Sequence, residues 1–372
     1  MSITRSCRGI GPNWYASVMG TAIVANAAHA LPVGFPGRNA FAVAVWLLSL
    51  AALAAVGAAR AAHLLRHRDV ARAHLLDEPS TAVFYGCPPM ALLAVGHGTL
   101  VIGPAVLGER VAVALDLVLW TTGTLYSLAV AVAVPYLMTS RHRGHPGASD
   151  PTRLLPVVAP MVAAALGPAL VPHLPPGEAR ATMLYGCYAM FGMSLLATLT
   201  LLPGVWTRLV RDPLAPVTLT PTLFLVLGPL GQSTTAVNQL ADAAGAAAPA
   251  HAAAMRAFAV LYGVPVLGFA LLWLAVAGLA NARALRGGMP FAMTWWAYTF
   301  PVGTCVTGAA ALARRTGLTA LTAVAAALFL LLTVAWAVAA SRTLRGVLSG
   351  RLLAPPAAPA PAGVPLREAR AA

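Results

Sequence analysis

The chain has no lysine and only ten acidic residues in 372, and charged residues make up 9% of it. Soluble domains run near a quarter charged residues, so a sequence this poor in charge and 59% hydrophobic excludes an ordinary water-soluble fold. The four cysteines, Cys7, Cys87, Cys187 and Cys305, show no C-x-x-C spacing, which excludes a zinc ribbon or a dithiol redox motif. Three of them lie in apolar runs and read as free thiols that pack as small residues. H-E-x-x-H, G-x-S-x-G, a Walker loop and D-D-x-x-D-like acidic clusters are all missing. No enzyme class is suggested, and no catalytic residue, cofactor or metal is assigned. His63, His67 and His74 have a spacing that a helix would bring to one face, but they read as part of a solvated loop.

What remains is long apolar runs. At about 20 residues per crossing, ten spans are expected: 13–31, 38–64, 81–103, 110–138, 154–173, 179–203, 219–242, 254–280, 290–312 and 317–341. Arg5 and Arg8 before an apolar run ending in "AHA" (28–30) mimic a signal peptide, but the run belongs to the repeat described below and is kept as a helix. All 24 basic residues are arginine, and the net charge of +14 lies in short clusters between the runs. That pattern suits loops against anionic lipid and does not suit nucleic acid. Only Arg38, Arg110, Arg180, Arg256, Arg314 and Arg315 fall on one set of loops and span ends, and the other arginines fall on the opposite set. The bias places both termini in the cytoplasm of a multi-pass protein of the cell membrane. Residues 1–345 form the transmembrane domain, and 346–372 read as a disordered Pro/Ala-rich cytoplasmic tail.

The odd-numbered spans share a register. They read "CPPMALL" (87–93), "APMVAAA" (159–165), "GPLGQST" (228–234) and "FPVGTCV" (300–306), anchored on Pro89, Pro160, Pro229 and Pro301. Carried back, the register falls on Val18 of "SVMGTAI" (17–23), so the anchors 18, 89, 160, 229 and 301 recur about every 70 residues. Five tandem helical hairpins follow, an all-α architecture with five odd helices ringing a central pore.

Proline inside a helix frees the carbonyl four residues earlier, and lipid tolerates that where the carbonyl is packed or lines water. The expected pore lining and kinks are therefore Val18, Gly20, Pro89, Pro160, Gly228, Pro229, Gly231, Pro301 and Gly303. Polar residues such as Asn26, Gln232, Thr235 and Thr307 also lie in odd spans.

The residues preceding the anchors are Ser17, Pro88, Ala159, Gly228 and Phe300, of which only Phe300 is large enough to plug an axis. Of the acidic residues only Asp116 and Asp242 fall in spans, both near ends, and His97 is the best titratable candidate inside the membrane. A pore without acidic rings and with arginines at its cytoplasmic mouth favours anions.

"GPNWYASVMGTAIVAN" (11–26), "LLPVVAPMVAAALGP" (154–168), "PTLFLVLGPLGQS" (221–233) and "FAMTWWAYTFPVGT" (291–304) resemble the tellurite-resistance/dicarboxylate transporter family. That family holds the plant guard-cell slow anion channels, bacterial TehA-type proteins, sulfite efflux pumps and malic acid permeases. "MGTAIVAN" and "WWAYTFPVGT" lean toward the sulfite and malate branch. The resemblance implies ten helices as five hairpins, a pore occluded by a phenylalanine that matches Phe300, and a homotrimer with one pore per subunit. The function expected is passage of sulfite, chloride, nitrate or C4-dicarboxylates. The alternative is a proton-coupled C4-dicarboxylate carrier using His97.

Overall fold

A computed structural model describes residues 10–141, 150–211 and 216–352. Arg5, Cys7 and Arg8 lie outside the described residues, as does the tail beyond 352. Among the described residues every regular element is helical. Ten longer helices carry the fold: α1 Tyr15–Ala30, α2 Arg38–Arg66, α3 Cys87–Val101, α4 Glu109–Ser140, α5 Leu154–Leu166, α6 Glu178–Arg211, α7 Leu227–Ala247, α8 Ala252–Arg286, α9 Phe300–Thr316 and α10 Thr319–Leu348.

Among the described residues six elements are long and apolar enough to cross a membrane: the five even helices, and the stretch Pro151–His173 that contains α5. In the most apolar part of each even helix only 22–28% of residues are buried, against 94% for Pro151–His173. Even helices therefore present apolar side chains outward, and α5 is interior.

Contacts fix the layers. The odd helices touch in the order α1–α3–α5–α7–α9, and α9 returns to α1, closing a ring. Each even helix packs on the odd helix before it and leans on the next. Gly37, Gly108, Gly177 and Gly317 lie at or just before the starts of α2, α4, α6 and α10, all with positive φ, where a side chain would be strained. These turn glycines repeat with the same period as the prolines.

The prolines act differently from the sequence expectation. Each odd helix is preceded by a 3₁₀ run: Pro12–Trp14, Val83–Gly86, Pro151–Arg153, Val217–Val226 and Met293–Tyr298. Pro89, Pro229 and Pro301 then fall in the first turn of α3, α7 and α9, so they start helices where kinks inside continuous helices were expected. The first N–H groups of an α-helix have no intrahelical acceptor, so proline there sacrifices no hydrogen bond. Among the anchors only Pro160 stands inside its α-helix. The even helices hold Pro135, Pro203 and Pro265 within α4, α6 and α8.

Interrupted backbone in a protein interior needs outside donors, and the even helices supply them. Trp273 Nε1 of α8 donates to the Leu223 carbonyl at 2.9 Å, and Asn281 Nδ2 of α8 to that of Thr220 at 3.1 Å. Within α5 itself, Ser194 Oγ of α6 donates to the Val157 carbonyl at 2.6 Å, and Trp120 Nε1 of α4 to that of Ala163 at 3.1 Å.

Ring closure also depends on glycine. A Cβ on Gly231 of α7 would stand 2.5 Å from the Thr304 carbonyl carbon of α9, a backbone atom that cannot step aside. A Cβ on buried Gly228 would meet nothing within 4 Å. Gly231→Ala is therefore expected to destabilise the protein by about 1–3 kcal/mol, while Gly228→Ala leaves stability unchanged. Thermal unfolding in detergent compares the two.

Candidate functional site

The ring encloses a cavity of about 450 Å³. All five odd helices, or the 3₁₀ turn continuing them, contribute wall. Ile23 and Asn26 come from α1, Ala94 and His97 from α3, Leu166 and Ala169 from α5 and its continuation, Gln232 and Thr235 from α7, and Phe300, Thr307 and Arg314 from α9. Phe300 is the first residue of α9 and Arg314 lies near its last turn. At 1.5 Å per residue the cavity runs about 21 Å along that helix. Phe300, at 3% exposure, is its one aromatic wall residue.

Among the described residues the lining contains arginine and histidine but no carboxylate. Arg38 Nη1 donates to the Leu31 carbonyl at 3.2 Å and Arg314 Nη1 to that of Ala30 at 2.6 Å, so both guanidinium groups are fixed at the C-terminal end of α1. Their positive charge meets the partial negative charge of that helix end. The sequence reading put the attracting arginines at the cytoplasmic mouth. The cavity wall carries two arginines of the minority set, Arg38 at the start of α2 and Arg314 in the last turn of α9.

Deeper in, the wall is neutral and polar. The Asn26 amide is oriented by donating Nδ2 to the Ala94 carbonyl at 2.9 Å. Thr235 and Thr307 hydroxyls share a hydrogen bond of 2.8 Å between α7 and α9. Gln232 is 2% exposed and its Oε1 has no protein partner; neither has Nδ1 of His97. Paired hydroxyls can reverse which one donates, so this wall can offer N–H and O–H groups to an anion.

Other residues singled out from sequence lie elsewhere. Val18 is fully buried in the core. Gly20 packs against Thr299 and Trp296, Gly231 against the α9 backbone and Gly303 against Ile23. These three glycines hold helices together. Gly228 alone among the four has free space beside it. Pro89, Pro229 and Pro301 are buried in the first turns of their helices and Pro160 in the middle of α5, all outside the cavity wall.

Asp116, read as lying near a span end, is 2% exposed and its Oδ1 faces Gly96, the residue before His97. His63, read as part of a solvated loop, is completely buried, its ring stacked on His74 at 5.8 Å and 3°. His74, in the short helix Arg68–Leu76, is held below the usual histidine range chiefly by burial, partly opposed by Glu78 and reinforced by Arg60. Cys87, Cys187 and Cys305 are free and buried.

An all-helical membrane chain with such a cavity belongs to the channel and transporter class. The family described as SLAC1, voltage-dependent anion channel, matches residues 9–344, and the chain is a member of it. Among curated proteins, it is 28% identical over 303 residues to the sulfite efflux pump SSU1 of Trichophyton rubrum, covering 80% of each chain. The SSU1 pump of Arthroderma otae is 27% identical over the same length. An uncharacterized transporter of Methanocaldococcus jannaschii is 23% identical over 342 residues, covering 92% of this chain and 94% of its own. The family consists of channels and transporters, and membership makes this a multi-pass anion-transport protein.

Sequence reasoning missed Arg38, Arg314 and Gln239 as cavity residues. Arg38 and Arg314 were visible among the arginines of loops and span ends, but nothing local says which loops close over the ring, and Gln239 carried no signal of its own. If the cavity admits water, Ala311→Cys in a Cys7→Ser background reacts with a membrane-impermeant thiol reagent at least about tenfold faster than Val18→Cys. Mass spectrometry after timed labelling gives both rates, with little background from the three buried thiols.

Proposed function

We propose that the chain conducts small anions across the cell membrane through the centre of its helix ring, with Phe300 as the gate. In this reading all ten helices span the bilayer as five hairpins and both termini are cytoplasmic. The cavity then opens outward. The observation that carries the proposal is the cavity wall: each odd helix contributes, the only permanently charged groups in it among the described residues are Arg38 and Arg314, and an aromatic ring stands at the start of α9.

Physical reasons support each part. Arginines at a mouth raise the local anion concentration. The N-termini of α3, α7 and α9 begin in the protein interior after their 3₁₀ runs, and their partial positive charge favours an anion there. Gly228, at the register position of Phe300 on the neighbouring helix, adds free volume. Val18, Gly20, Gly231 and Gly303, with the prolines, hold the ring in shape around the path. Assembly as a homotrimer with one pore per subunit is part of the proposal.

Sulfite is the first anion to test, because the SSU1 relatives are named sulfite efflux pumps. Chloride, nitrate and malate complete the set. The experiment is anion current through purified protein in planar bilayers, wild type beside Phe300→Ala. Conductance is expected to rise at least about tenfold with cations still excluded. Equal currents from the two forms would remove Phe300 as the gate, and silence of both to every anion would remove the pore.

A second reading, a proton-coupled C4-dicarboxylate carrier, is favoured by one feature: His97 lines the cavity with an unpartnered ring nitrogen, and buried Asp116 faces the adjacent turn. In that case His97→Gln abolishes malate uptake driven by a pH gradient. Unchanged pH-driven uptake in the variant eliminates the histidine relay.

A further inference from the structure

We infer that Asn281 of α8 is a positioning residue for Phe300, acting through the hydroxyl of Tyr298; this rests on the reading of Phe300 as the gate. Tyr298 closes the 3₁₀ run Met293–Tyr298, two residues before Phe300. Its hydroxyl donates to Asn281 Oδ1 at 2.6 Å. Asn281 is 3% exposed, and its Nδ2 donates to the carbonyls of Thr220 at 3.1 Å and Ala277 at 2.8 Å. The amide orientation is fixed by its partners: two carbonyls require the nitrogen, and the phenol donates to the oxygen.

One side chain thus ties together two separate interruptions. Thr220 lies in the run Val217–Val226 that leads to Gly228, and Tyr298 lies in the run that leads to Phe300. The Tyr298 ring meets Phe224 of the first run edge-on, 4.9 Å between centroids at 85°. Thr294 Oγ1 donates to the Thr218 carbonyl at 2.5 Å, a second tie between the same two runs.

The start of α9 depends on such ties because it lacks a side-chain cap. The N-cap residue Thr299 makes no capping hydrogen bond, and its hydroxyl donates backwards to Trp296 O at 2.7 Å. Phe300 therefore takes its position from whatever holds residues 293–298. On the α10 side these are Trp296 Nε1 on Thr343 Oγ1 at 3.0 Å and Arg342 over the Trp295 ring. On the α8 side the directional bond to Tyr298 is Asn281. When that bond is lost, the run can move relative to Gly228 and the ring leaves the axis more often.

The test is single-channel recording of the full-length protein carrying Tyr298→Phe, which removes one oxygen and keeps the ring packing. Open probability is expected to rise about three- to tenfold with unit conductance unchanged. In a Phe300→Ala background Tyr298→Phe adds nothing. A purely structural defect would lower the number of active channels without changing the opening of each. Thermal unfolding of Tyr298→Phe is measured alongside, and Asn281→Leu, where it folds, gives the same rise and is non-additive with Tyr298→Phe. Unchanged opening in Tyr298→Phe, or an equal increment on Phe300→Ala, overturns the role of Asn281 and leaves the gate intact. If Phe300→Ala itself conducts like wild type, the gate reading has failed first.

Discussion

Every interior peptide group in a membrane protein must find a hydrogen-bond partner within the protein, because lipid offers none. The inner ring of this chain breaks that economy five times, at each 3₁₀ run, and the rest of the structure answers the breaks. First-turn prolines remove N–H groups that have no acceptor within their own α-helix. Trp273 and Asn281 of α8 donate to carbonyls of the Val217–Val226 run, and Ser194 and Trp120 donate to carbonyls of α5. The outer layer is thus more than a lipid-facing jacket, since it completes the hydrogen bonding of the inner one.

A ring of interrupted helices has a functional consequence. An unbroken helix places its dipole ends at the membrane surfaces, whereas α3, α7 and α9 start inside the protein. Their positive ends therefore lie inside the protein. The permanent charges, Arg38 and Arg314, stay at the far end of the cavity, where carbonyls hold them. On the proposed path, attraction is strongest at the mouth and weaker within, the arrangement an anion needs to enter without being trapped.

The opening residues of α9 show how far sequence reading reaches. "FPVGT" marks a break at mid-depth because proline cannot donate, and the regular recurrence of the prolines showed that the break belongs to a repeat. Whether proline kinks a helix or starts one depends on the residues before it, and "MTWWAY" gives no local sign of 3₁₀ geometry. The structure decides for a start, since Asn281, Thr343 and Arg342 come from two other helices to hold that run. Likewise Gly228 and Gly231 look alike in sequence, and only the approach of Thr304 to one of them separates open space from tight contact.

By itself the sequence determined the class, the apolar helices to within several residues at most boundaries, the 70-residue period and Phe300 as the bulky member of its register, because hydropathy and proline act locally along the chain. The tertiary structure alone decided which arginines line the cavity, that Asp116 and His63 are buried, and that Asn281 joins two distant interruptions. Those facts depend on which helices become neighbours when the ring closes, and residues such as Thr220 and Tyr298 meet only through a third helix.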